Sequence, residues 1–243
     1  LLEVRGTLPE QVTCPETKVT FLTDARSGTM PKKSTFSCGA DGTANDVLDA
    51  IKASGKNGPL AAYAIQGYSP SRDQSGQAYG GRFFSPATDT HRFNEAEAEW
   101  SERKTADLDG WWPTSELPYG FMTHHLQGGV PNHGFTHWWK MFNPVMLLAH
   151  SQLLKAIASN HSACPAAKEF VLGAYQSFLR NHCILSFWHL KADKLASALS
   201  NSNFHPKSVA VENAVFSTLG LGTWHSCVEG LTEAFAWREN PWE

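Results

Sequence analysis

Apolar and polar positions alternate, or nearly alternate, over residues 18–22 and 34–37, with Ser27-Gly28 between them. This pattern predicts a small β hairpin within residues 14–42. Val47, Leu48 and Ile51 then recur at helical spacing behind Thr43, a residue type that caps helices, which predicts a helix ending near Gly55. Residues 60–68 are rich in apolar and aromatic side chains and are bounded by Gly58-Pro59 and Ser69-Pro70, as expected of a buried strand. Residues 71–81 are polar and glycine-rich, which predicts a mobile or ligand-facing loop, and the aromatic run Arg82-Phe83-Phe84 follows.

Further along, residues 93–108 have a helical composition, with Glu99 placed four residues before Arg103 as a helix-surface ion pair. Residues 117–140 break the pattern. Gly128-Gly129, Pro131-Asn132 and His133-Gly134 exclude both a regular helix and a central strand, while Phe121, Phe135, Trp138 and Trp139 argue for order, so a long ordered loop is expected. Beyond it the apolar spacing predicts helices over 145–157, with Asn143 before Pro144 as its cap, over 165–188, over 193–199 and over 223–237. A loop is expected around residues 203–206. The fold class that follows is α+β, with a small β-rich N-terminal half and a mostly α-helical C-terminal half. Its expected parts are 1–116, a connecting loop over 117–143, and 144–243.

The chain has 243 residues, of which 42% are hydrophobic, enough for a proper core without disulfide staples. No stretch reaches about 18 consecutive apolar residues, which predicts no membrane span, and no export signal opens the sequence. Five cysteines, an odd number widely spaced, fit a reducing cytoplasm. The chain opens on Leu1 and stops abruptly after Asn240-Pro241, as an excised piece of a longer polypeptide would. Its net charge of −3 speaks against a basic surface over the whole chain. The charge is uneven, however: residues 17–92 carry 9 Lys and Arg against 6 Asp and Glu, and residues 93–116 carry 2 against 7. A nucleic-acid partner would therefore meet the first window.

Several chemistries are poorly served by these residues. His133 and His137 have the spacing of a metal pair on a helix face, but Gly134 disfavours a helix there, no Glu adjoins His133, and no metal is expected. Cys14 and Cys38 flank the predicted hairpin as in a zinc ribbon, yet Thr17 and Asp41 stand where second thiolates belong, so a metal-free, degenerate ribbon is expected. There is no nucleophile elbow, phosphate loop or dinucleotide fingerprint, the Gly220-Leu221-Gly222 cluster lacking a third glycine and a preceding strand. Nucleic-acid binding is the class best supplied. Arg26, Lys32, Lys33, Arg72 and Arg82 lie in the β-rich part, and Tyr119, Phe121, Trp138 and Trp139 have the rings to stack on an unpaired base.

Taken with these features, Gly80-Gly81-Arg82-Phe83-Phe84, Trp112-Pro113, Glu116-Leu117-Pro118 and the run from His133-Gly134-Phe135-Thr136-His137 through Trp138-Trp139-Lys140-Met141-Phe142-Asn143-Pro144 are distinctive. With Arg180-Asn181, Ser186-Phe187-Trp188 and Asn240-Pro241, they make the chain resemble the middle region of large adenine-specific DNA methylases that contain a zinc ribbon and belong to bacterial phage-defence and restriction-modification loci. The resemblance spans most of residues 14–243. It departs at Val145-Met146, where family members usually carry Arg-Gln, and at the ribbon, reduced to Cys14 and Cys38.

The resemblance implies a parent enzyme that uses S-adenosylmethionine, held at a glycine-rich Asp-Pro-Phe motif, and that positions adenine with a Pro-Pro-Tyr motif. This sequence has neither motif. The expected role is therefore DNA binding or target recognition, with no cofactor and no catalytic residue in this segment, which alone would be inactive. Expected partners are DNA, the remainder of the parent methyltransferase and other defence-system subunits. His124, His125, His133 and Lys140 join the five basic residues as candidate DNA contacts, presented by a loop that Trp138 and Trp139 brace. The competing expectation is a protein-interaction module of a defence complex that does not touch DNA.

Overall fold

A computed structural model of the chain describes residues 11–13, 20–22, 35–37, 41–54, 62, 64–75, 81–87, 91–120, 123–124, 129–189, 194–199 and 211–239. The chain divides into two compact units, Leu1–Arg92 and Phe93–Glu243. Both contain helices and strands, so the fold is α+β, but the two kinds of element are interspersed along the chain and not sorted into a β half and an α half.

In the first unit every described strand pairs with its nearest neighbour. Strand β1 (Gln11–Thr13) is antiparallel to β2 (Thr20–Leu22), and β3 (Thr35–Ser37) to β4 (Ala44–Asp46). The two segments expected to form one hairpin thus belong to different hairpins, each closed by a shorter loop, which costs less chain entropy. Cys14, Thr17 and Cys38 lie outside the described residues, as do Ser27-Gly28 and the candidate contacts Arg26, Lys32 and Lys33. Pairing with β3 also moves the following helix start. Helix α1 covers Val47–Ser54, and its cap is Asp46, whose Oδ1 accepts from Leu48 N at 2.8 Å and Asp49 N at 3.1 Å. Thr43, the expected cap, instead donates its backbone N–H to Asp41 Oδ1 at 2.9 Å.

The described part of the strand expected over residues 60–68 is not buried. Among the described residues strand β5 (Ala64–Tyr68) pairs only with β6 (Arg82–Pro86), and Ile65 and Tyr68 stay 44% and 37% exposed. Between them a single turn of helix, α2 (Pro70–Gln74), starts on Pro70, a residue suited to a first turn because its missing N–H would be unpaired there anyway.

The second unit is built around burial. Helix α3 (His91–Arg103) sends Trp100 into a core shared with Leu108, Val130, Phe135, Met141 and Leu147. The expected Glu99/Arg103 pair forms at 2.7 Å and extends through Asp107, at 2.7 Å from Arg103, to Lys155, at 2.9 Å from Asp107, tying α3 to α4 (Pro144–Ser159). Asn143 caps α4 by accepting from Met146 N at 2.8 Å, as its position before Pro144 predicts. The described residues of 117–143 are irregular apart from two 3-10 turns, Val130–His133 and Trp138–Met141, and are more than a connector. Val130, Phe135, Met141 and Phe142 are all buried in the core just named.

Helix α5 (Pro165–Asn181) stops well before Trp188. Tertiary hydrogen bonds replace its continuation: Ile184 N donates to Met141 O at 2.9 Å, and Ala198 N donates to Arg180 O at 2.8 Å, satisfying a carbonyl that the helix end leaves open. The chain then forms a hairpin of β7 (Phe187–His189) and β8 (Lys194–Ala196), where a helix was expected over 193–199. Leu199 has φ +57°, which no continuing right-handed helix accommodates. The last helix, α6 (Trp224–Glu239), begins behind Thr223, whose Oγ1 accepts from Ser226 N at 3.2 Å. It packs antiparallel on α5, with Phe170 against Phe235 at one end and Phe178 against Trp224 at the other.

Candidate functional site

Of the sequence candidates, Arg72 and Arg82 both belong to the ribbon of β5, α2 and β6, Arg72 lying with Phe83 and Arg82 opposite Tyr68. Tyr68 and Arg82 are register partners across the two strands, and Gly67 faces Phe83. A side chain at position 67 would collide with the Phe83 ring, so glycine there lets the ring lie across the strand. The Arg72 guanidinium sits 5.0 Å above the centroid of that ring, a cation–π contact of about 0.5–1 kcal/mol at an exposed site. Gly81, at φ +76°, lets the chain re-enter β6 against the Ser69 carbonyl, while Ser69 N donates to Gly81 O at 2.9 Å. Tyr68 Oη donates to Asp73 Oδ2 at 2.9 Å, and this bond raises the phenol above its ordinary range. The result is a ribbon end on which Phe83 holds Arg72 and Asp73 holds the exposed Tyr68, with Arg82 opposite Tyr68 in the register. Tyr68 was not a candidate in the sequence, because its run reads as buried; its exposure depends on β5 having a single partner.

The long loop treats its candidates differently. His125 and Phe121 lie outside the described residues. His124 is half-buried, its backbone lying against Gly129, and Thr123 Oγ1 donates to Pro118 O to tighten the same bend. His133 ends the first 3-10 turn, and Gly134 follows at φ +86°, so no helix carries His133 and His137 on one face. His137 instead forms an isolated bridge with Glu116 and shares a 2.9 Å hydrogen bond between its Nδ1 and Thr136 Oγ1. Trp139 and Trp138 are not open platforms. Both pack on the core, Trp139 meeting Trp112 edge to face at 6.4 Å and Trp112 meeting Trp100 at 5.5 Å. Lys140 lies with its ammonium 5.8 Å above the Trp139 ring. Among the described residues of this stretch Tyr119 is an open aromatic, 75% exposed.

A third group was not among the sequence candidates. His150 on α4 and His182 at the end of α5 are both buried, His182 fully, with His150 Nε2 2.8 Å from His182 O and 3.1 Å from His182 Nδ1. Phe142, Tyr175 and Phe178 enclose His150, and His182 stacks on Phe178 at 5.1 Å. Burial lowers both imidazoles, His150 to about 4, and His182 to about 3 with the neighbouring His150 adding to the effect. A polar residue inside the apolar run of α4 was the available clue, but its partner is 32 residues away and reaches it only through the fold.

Cofactor and metal sites can be tested against these residues. The Gly220-Leu221-Gly222 cluster does not suit a nucleotide-type cofactor: residues 211–214 form no strand ahead of it, and a side chain at Gly222 would strike Asn181, which occupies that side. No step of cofactor chemistry is therefore assigned to this chain. Among the described residues no group of three or more His, Cys, Asp or Glu side chains is placed to hold a metal ion. Among the same residues no helix is long and apolar enough to cross a membrane. Comparison with protein-family models, with curated proteins and with solved structures gives no match to this chain.

Proposed function

We propose that this chain is a DNA-contacting segment of an S-adenosylmethionine-dependent, adenine-specific DNA methyltransferase of the phage-defence type, serving target recognition and not methyl transfer. The observation that best supports the reading is the ribbon of β5, α2 and β6. Arg82 is the register partner of Tyr68 there and Arg72 lies over Phe83, both inside the part of the sequence with excess positive charge. Two arginines on a twisted ribbon match the requirements of phosphate contact, and a half-exposed tyrosine can stack on a base or sugar. His124, His133 and Lys140 belong to the second unit, where they contribute, on this proposal, as contacts of lesser weight than the two arginines.

The test is binding of a short labelled DNA duplex, followed by fluorescence anisotropy at 50 and 200 mM salt. Binding that weakens steeply with salt is expected, and the Arg72→Ala/Arg82→Ala double variant should bind more weakly at every salt and flatten the dependence of log affinity on log salt by about two. Absence of binding by the folded chain at the lower salt overturns the proposal.

One observation favours a second reading, a protein-interaction module that does not touch DNA. Phe216, Leu219 and Leu221 are each at least half exposed within one six-residue stretch of the second unit, more apolar side chain than so short a segment usually leaves open. A chain that ignores DNA yet is retained by another subunit of its defence locus would select that reading.

A further inference from the structure

We infer that the His150/His182 pair is an acid-sensitive latch between α4 and the end of α5, closed while both imidazoles are neutral and opened when either takes up a proton. The hydrogen-bond geometry assigns the tautomers. A 2.8 Å approach of His150 Nε2 to a carbonyl oxygen requires the proton on that nitrogen, donated to His182 O and shared with His182 Nδ1 at 3.1 Å. His182 Nδ1 is then an acceptor, and its proton is on Nε2. The two remaining nitrogens, His150 Nδ1 and His182 Nε2, have no hydrogen-bond partner among the described residues, and neither has the neighbouring Ser151 Oγ.

Protonation finds no acceptable place in this arrangement. A new proton on His150 Nδ1 meets no acceptor, and one on His182 Nδ1 points at the N–H of His150 across 3.1 Å. No counter-charge answers it either. Among the described residues neither imidazole has an ion-pair partner, and the titratable groups beside them are the Tyr175 phenol, which burial pushes up to about 12, and the Cys183 thiol, which burial also raises. Both are neutral in mildly acidic water. The described charged side chains on the packed elements lie elsewhere: Lys155 of α4 is with Asp107, Arg180 of α5 is near Ser197 at 3.4 Å, Lys168 of α5 donates to Ala158 O, Glu229 of α6 is with His225, Glu212 is with Asn143, and Glu169 and Glu233 are exposed. A cation in this aromatic enclosure would be both unpaired and desolvated, so separating α4 from α5 and admitting water is the lower-energy response.

The direction of the pH dependence follows from linkage. The unfolded chain binds protons on these histidines below about pH 6.5 while the folded chain does not until about pH 4, so the stability present above 6.5 is lost as pH falls through that interval. At pH 5 the folded-to-unfolded ratio falls about thirtyfold for His150 alone. Thermal melting of the full 243-residue chain between pH 7.5 and 5 should show a falling Tm. The His150→Gln/His182→Gln double variant should lose most of that fall, and an unchanged fall overturns the latch. Should the double variant not fold, two-bond imidazole 15N–1H spectra of the unaltered chain decide the matter. Two buried histidines that stay as Nε2–H tautomers down to pH 5 are expected, and titration of either near its ordinary value of about 6.5 overturns the inference.

Discussion

In the first unit the side chains with chemical capacity stand at the surface of a two-stranded ribbon, each held by a neighbour a few residues away, whereas in the second they are enclosed by partners tens of residues distant. Arg72 lies over Phe83 and Tyr68 donates to Asp73, all within one hairpin. His150 meets His182 across two helices, and both share Phe178. Among the described residues the buried apolar side chains all belong to the second unit. The contrast separates two ways of fixing a polar group. Local turns and one cross-strand pair orient an exposed group at little energetic consequence, so its removal should leave the fold intact. Packing orients a buried group, so its removal or its charging affects the fold.

Substitutions can sharpen or break this contrast. The largest effect is expected at Phe178, fully buried against both histidines and Trp224: Phe178→Ala should cost about 3–5 kcal/mol of unfolding free energy in a urea titration followed by tryptophan fluorescence. An intermediate effect is expected at Asn143, which caps α4 and donates to Glu212 at 2.8 Å. Asn143→Ala should cost about 1 kcal/mol by the same measurement. The smallest is expected in the first unit, where Arg72→Ala should shift stability by no more than about 0.5 kcal/mol while weakening DNA binding. A large stability loss at Arg72, or a negligible one at Phe178, would erase the distinction between the units.

Much of the second unit was legible in the sequence because its instructions are local. Asn143-Pro144 marks the start of α4, Pro165 the start of α5, and the four-residue spacing of Glu99 and Arg103 their ion pair, since each depends only on neighbours within a turn or two. The ends of elements were less legible. Helix α5 stops at Asn181 because Met141 and Ala198 supply hydrogen bonds to the chain beyond and at its end, and neither residue announces this from its own surroundings. Lys194–Ala196 has a composition that suits a helix, yet pairing with Phe187–His189 makes it a strand. Of the site candidates, Arg72 and Arg82 could be named from residue type and charge, but the placing of Arg82 opposite Tyr68, and of the Phe83 ring under Arg72 across Gly67, depends on the register of β5 and β6.

The sequence by itself determined where α4 and α5 begin and which windows carry positive or negative charge, because capping, proline geometry and net charge act over a few residues. Only the tertiary structure decided that Trp138 and Trp139 pack against a core, that Tyr68 is exposed, and that two histidines 32 positions apart share one hydrogen bond in an enclosure with no counter-charge among the described residues. Burial and hydrogen-bond partnership are properties of what surrounds a residue in space. A linear pattern specifies that surrounding only where the neighbours in space are also neighbours in the chain.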